Sequence, residues 1–175
     1  MRFRVAVVAA SLTLLAAAAG CSATSSDSAG GQNGASVSAA PPPDPCTLVT
    51  TDDLERALGE SFAQSSLPVT DPGRHTCSYE ATETGHHVDV NTYVDPSGGA
   101  NGVDNAYQNL LQAAKDVGGT PVQLDGIGDA AFRSNSQLYA KMKGYVLNIV
   151  IAGLGEDETI DNALEELGRQ AASRT

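Results

Sequence analysis

The chain has 175 residues, with 10 Lys plus Arg against 21 Asp plus Glu and a formal net charge of −11. So acidic a chain excludes nucleic acid as a natural partner, because that binding depends on basic side chains neutralising phosphates, and the same sign repels anionic lipid headgroups. With no Trp, three Phe and five Tyr, its core must be built from aliphatic side chains.

Arg2 and Arg4 precede an apolar run from Val5 through Ala19, and small residues follow to Gly20-Cys21. This is the pattern of a bacterial export signal over residues 1–20. The run of about 15 residues falls short of the ~20 a membrane-spanning helix needs. Ala18-Ala19-Gly20-Cys21 is similar to a lipobox, in which the Cys is diacylated and becomes the mature N-terminus, although Ala18 stands where that motif carries a bulky aliphatic residue. The bland alternative is an ordinary secretory leader with Cys21 a stray thiol. Cysteine parity favours the lipoprotein reading, since exported proteins leave few thiols free. With lipid on Cys21, Cys46 and Cys77 form the one remaining pair. Such a disulfide closes a loop of about 32 residues and stabilises the fold by roughly 3 to 4 kcal/mol. Neither Cys belongs to a Cys-x-x-Cys pair, so a metal reading of them is weak. The expected location is the extracytoplasmic side of the cell membrane, with the membrane contacted through Cys21.

Residues 21–45 comprise this Cys and a tether of Ser, Ala and Gly that ends in Pro-Pro-Pro-Asp-Pro. Val37 is its only branched aliphatic residue, so nothing there offsets the entropy of ordering. Residues 46–175 remain as one globular domain, and its elements run twice through a similar sequence. Thr50 caps a first helix with Asp53 at its third position, Val49 staples onto Leu54, Leu54, Ala57 and Leu58 form the buried stripe, and Gly59 suits a left-handed exit. Strands follow at His75 to Ala81 and at His87 to Val94, where Val88, Val90, Thr92 and Val94 alternate with His87, Asp89, Asn91 and Tyr93.

After a Gly-rich loop, Val103, Tyr107, Leu110, Leu111, Ala114 and Val117 give the strongest helical period in the chain, with Asn101 as cap and Gly118-Gly119 as stop. Strands are predicted at Ala130 to Arg133, Gln137 to Lys143 and Tyr145 to Ala152. A last helix from about Asp157 buries Ile160, Ala163, Leu164 and Leu167. The order is α-β-β-α-β-β-β-α. It predicts an α+β fold in which four to five antiparallel strands carry all helices on one face. The other face would present His87, Asp89, Asn91, Tyr93, Tyr139, Lys141 and Lys143 to a ligand or partner.

Asp44-Pro45-Cys46-Thr47-Leu48-Val49-Thr50, then Cys77-Ser78-Tyr79, then Gly126-Ile127-Gly128-Asp129-Ala130-Ala131-Phe132 resemble the actinobacterial lipoprotein group catalogued as domain of unknown function 3558. The resemblance spans roughly Pro45 to the final helix. It implies an envelope lipoprotein with Cys46 paired to Cys77 and no assigned catalytic residue.

Motifs that could carry chemistry have simpler structural readings. Gly126-x-Gly128 lacks the third glycine and the following helix of a phosphate cradle, so it reads as a tight turn or bulge permitting close packing. His75, His86 and His87 lie near Asp71, Glu83 and Asp89, but with no helical i, i+4 pair they are a poor zinc set. Glu156, Asp157, Glu158 and Asp161 read as a solvated helix start. The loop Asp95 to Gly102, followed by Asp104, reads as a plain turn before a calcium loop. No hydrolase motif of the Gly-x-Ser-x-Gly, Ser-x-x-Lys or His-Glu-x-x-His type occurs. No cofactor, metal or catalytic residue is therefore expected. The expected function is non-catalytic binding of an envelope protein or small envelope ligand. The alternatives are an inhibitor or accessory subunit of a cell-wall enzyme, and a small envelope hydrolase with an unrecognised site.

Overall fold

The structure is a computed structural model that describes residues 41–65, 69–71, 73–94, 101–155 and 158–175. The leader, Cys21, the tether up to residue 40, most of the Asp95 to Gly102 loop, Glu156 and Asp157 lie outside the described residues.

A short helix, α1 (Pro45–Leu48), opens the fold, with Pro45 at its start and Asp44 accepting a hydrogen bond from the Cys46 amide. Helix α2 (Thr51–Leu58) follows with the predicted capping box: the Asp53 amide donates to Thr50 Oγ1, and the Thr50 amide donates to Asp53 Oδ2 at 2.9 Å. Gly59 ends it at φ 74°. Strands β1 (Phe62–Gln64), β2 (Val69–Asp71), β3 (Arg74–Ala81) and β4 (His87–Tyr93) come next, then α3 (Gly102–Asp116). Strands β5 (Val122–Leu124), β6 (Ala130–Ser134), β7 (Gln137–Met142) and β8 (Tyr145–Ala152) lead to α4 (Glu158–Ser173).

All eight strands pair antiparallel in one sheet of order β1-β3-β4-β8-β7-β6-β5, with β2 sharing the outer edge of β3 beside β1. The α+β class is thus as expected, but the strand count exceeds four to five. The three additional strands are three residues each, too short to show a period of two, and each sits at a sheet edge. The apolar run of β8 is central: it pairs with β4 on one side and β7 on the other, and is buried almost throughout.

The sheet is covered on both faces, not one. Leu54, Cys77, Tyr79, Val88, Val90, Leu138, Leu147, Ile149, Leu164 and Leu167 build the main core, on the face of α1, α2 and α4. The Cys46–Cys77 disulfide ties α1 to β3 there, with Cα atoms 5.3 Å apart. Helix α3 lies on the opposite face, where Tyr107, Phe132 and Val146 form a second, smaller core. The topology explains this placement. From β4 the chain must reach β5 at the far edge, passing β8, β7 and β6, and the apolar stripe of α3 covers that crossing. Its last predicted apolar residue, Val117, is 77% exposed because the helix ends at Asp116. Asn101 precedes α3 without a side-chain capping bond.

The Gly126-Ile127-Gly128 turn does permit close packing. Gly126 and Gly128 take φ values of 76° and 57°. Between them Ile127 is buried, and Gly168 of α4 is so near that a Cβ there would stand 3.1 Å from Ile127 Cδ1.

Candidate binding face

Antiparallel register places side chains from neighbouring strands in lateral rows. On the α3 face, Thr76, Asn91, Asn148 and Tyr139 form one row across β3, β4, β8 and β7. Ser78, Asp89, Val150 and Gln137 form the next, and Arg74, Tyr93, Val146 and Lys141 flank the first on its other side. Six of the seven predicted residues, His87, Asp89, Asn91, Tyr93, Tyr139 and Lys141, therefore share a face.

Lys143 does not. Strand β7 stops at Met142, whose partner is Tyr145, so Lys143 and Gly144 make a two-residue turn with Gly144 at φ 94°. Lys143 sits in that turn, beyond the alternation that would have placed it beside Lys141.

Helix α3 divides the six. Tyr139 stacks on Phe132 with ring centroids 4.8 Å apart, and Lys141 Nζ bonds Asp104 Oδ1 of α3 at 2.9 Å. Those two, together with Tyr93, which packs against the same Tyr107–Phe132–Val146 cluster, belong to the helix–sheet contact. The half over β3 and β4 carries the rest, and β3 adds Arg74, Thr76, Ser78 and Glu80, which the sequence reading did not name. Their alternation with Cys77 and Tyr79 was the signal that could have found them.

Two hydrogen-bond systems run across this half. In the first, Asn91 Oδ1 accepts from Arg74 Nη2 at 2.9 Å and Thr76 Oγ1 at 2.8 Å, while Asn91 Nδ2 donates to Asn148 Oδ1 at 3.3 Å. Asn148 Nδ2 in turn donates to the Leu138 carbonyl at 3.1 Å. Both asparagines are buried, so their amides must be matched internally, and they are. The Arg74 guanidinium lies 5.3 Å from the Tyr93 ring centroid. Burial pushes the Tyr93 phenol up, Arg74 opposes that and Asp89 adds to it, leaving a neutral hydroxyl.

In the second system, Asp89 Oδ1 accepts from Ser78 Oγ at 2.5 Å and meets His87 Nε2 at 3.0 Å. Ser, His and Asp are therefore together, but the carboxylate occupies the middle. Nucleophilic serine catalysis needs the imidazole between hydroxyl and carboxylate to take the hydroxyl proton. This order holds a serine hydroxyl and an imidazole in fixed positions about the carboxylate, without the serine–imidazole contact of that triad. A half-exposed carboxylate and imidazole are thus held on rigid backbone.

The remaining histidines are apart. His75 is on β3 opposite Thr92, and His86 Nδ1 lies 2.7 Å from Glu60 Oε1 and 2.9 Å from Thr84 Oγ1. Burial raises the Glu60 carboxyl, but the bonds from Thr84 and His86 outweigh it and lower the carboxyl overall. Among the described residues no three His, Cys, Asp or Glu side chains come together to hold a metal ion. A separate cleft of about 450 Å³ lies at the end of α3 and the start of α4, lined by Gly119, Arg133, Asn135 and Asp161 among others. There Arg133 is paired with Asp161 and is 4.0 Å from Glu165.

No described helix is long and apolar enough to cross a membrane. No family model matches the chain, and no curated protein and no solved structure matches it.

Proposed function

We propose that the chain is a membrane-anchored extracytoplasmic lipoprotein, similar to the actinobacterial group of domain of unknown function 3558, whose β3–β4 face binds an envelope protein or small envelope ligand without transforming it. The observation that carries this reading is the Ser78–Asp89–His87 system beside Arg74 and Asn91. It is a set of fixed donors and acceptors on the half of the sheet that α3 does not cover. Sites of this kind work by pre-organisation, since rigid strands lose little freedom when a partner docks. The leader, the cysteine arithmetic and the Pro-rich tether support attachment through lipid on Cys21. A disulfide between Cys46 and Cys77, present in the structure, agrees with an oxidising compartment.

A photoreactive residue at His87 tests the site in the native host, with Arg169 on α4 as control. The reading calls for one discrete adduct from position 87 and none from position 169. Adducts of the same mass and yield from both, or none from either, would defeat it. Mass spectrometry of the purified chain should find an acylated N-terminal Cys21.

A further inference from the structure

A second pocket lies on the other side of the sheet, away from the polar face. Its volume is about 430 Å³, within the ~300 to 1,000 Å³ of small-molecule sites. Pro41, Pro42, Pro43, Leu48 and Tyr145 give it apolar walls, and Lys143 and Arg174 also line it. The proline wall is anchored at its C-terminal end: the Pro43 carbonyl accepts from Thr92 Oγ1 at 3.0 Å, and three residues later Cys46 is bonded to Cys77.

Two features define what would fill it. The walls call for an apolar body, and the modest volume favours one chain over two. The two cations differ: Arg174 is committed to Asp53 and the Leu48 carbonyl, whereas exposed Lys143 has no ion pair among the described residues. In a chain of net charge −11, an uncommitted lysine beside an apolar pocket selects an anionic head.

We propose that this pocket binds a single-chain anionic amphiphile, a fatty carboxylate, with its chain against Pro41–Pro43, Leu48 and Tyr145 and its head at Lys143. This is independent of the polar face, and each can fail without the other.

The test is titration of the full chain, held in neutral-lipid nanodiscs, with a fluorescent fatty carboxylate and its methyl ester, empty nanodiscs being subtracted. The carboxylate should bind about fivefold more tightly than the ester, the factor expected for one partly exposed charge pair. Lys143→Glu should remove that preference and leave ester binding unchanged. Equal binding of acid and ester, no binding of either, or a preference that survives Lys143→Glu overturns the assignment.

Discussion

Arg174 grips the carboxylate of Asp53, 121 residues away in sequence, through Nη1 to Oδ2 at 2.5 Å and Nη2 to Oδ1 at 3.0 Å. The same Nη1 reaches the Leu48 carbonyl at 2.7 Å, so one guanidinium joins the end of α4, the end of α1 and the capping box of α2. Asp53 is 2% exposed and Arg174 one-third exposed. Removing the buried partner leaves the guanidinium accessible to water, whereas removing Arg174 strands a buried carboxylate still held by Thr50 and Arg56. Asp53→Ala should also lose the cap, costing about 3 kcal/mol in all, and Arg174→Ala about 1 to 3 kcal/mol. Urea midpoints of the two variants check the order.

Acid should act through the same residue. Burial raises the Asp53 carboxyl, but hydrogen bonds from Arg174 and Thr50 more than reverse this and hold it well below the usual carboxylate range. A depressed folded-state value means that its stabilisation is fully present above the unfolded value near ~3.9 and is lost as pH falls below it. The unfolding free energy should therefore decline below about pH 4, and the decline should be shallower in Asp53→Asn. An equally steep acid limb in that variant would locate the transition in other carboxylates.

Reduction of Cys46–Cys77 should lower the stability of the folded part by roughly 3 to 4 kcal/mol, given the 31-residue separation. The loss is read from denaturation with and without reductant, and Cys46→Ala/Cys77→Ala should match the reduced protein. Since the bridge also fixes the stretch behind Pro41–Pro43, binding in the apolar pocket should weaken in the reduced protein before global unfolding.

What could be read from the sequence follows from how local each determinant is. Thr50, Asp53 and Gly59 specify a helix start and stop through bonds between residues three and four apart, and those bonds are present. Leu147, Ile149 and Ile151 carry their own period, and the strand they mark is present as β8. Three decisions were not local. β1, β2 and β5 exist because neighbouring strands offer unpaired backbone groups, not because three residues specify a strand. The stripe of α3 says that one side is buried but not against which sheet face; the position of β5 at the far edge decides that. The place of Lys143 turns on whether β7 runs one residue further, and a single step in register moves a side chain from one face to the other. Of the binding face, the β4 residues were legible because their alternation is clean, while Arg74, Thr76 and Ser78 share a period with Cys77 and Tyr79 but are matched to Tyr93, Asn91 and Asp89 by the β3–β4 register.

The buried amide pair should show measurable coupling. Asn91→Ala leaves Arg74 and Thr76 without their shared acceptor, and Asn148→Ala leaves Asn91 Nδ2 and the Leu138 carbonyl short of a partner. Each should cost about 1 to 3 kcal/mol. Because the two side chains bond each other, the double variant should cost less than the sum of the singles by about 0.5 to 3 kcal/mol. Strict additivity in denaturant titrations would mean that the 3.3 Å contact contributes nothing.

Gly128 and Gly168 bracket Ile127 and should respond differently to a methyl group. At Gly168 the added Cβ meets Leu138 Cδ1 at 2.9 Å and Ile127 Cδ1 at 3.1 Å, both ends of flexible side chains. Overpacking of that kind costs ~1 to 3 kcal/mol, but alanine also improves the α4 helix interior by about 1 kcal/mol. Gly168→Ala should therefore destabilise only mildly. At Gly128 the Cβ would overlap the Lys141 carbonyl oxygen, which the β6–β7 ladder holds in place, and would stand 2.7 Å from Met142 Sδ. The backbone there has φ 57°, a conformation that adds a further ~1 kcal/mol or more for a residue with a Cβ, and no helix propensity offsets it. Gly128→Ala should thus cost more than Gly168→Ala, by about 2 kcal/mol or more. Thermal midpoints in the reverse order would show that the turn, and not α4, is the part of this packing that yields.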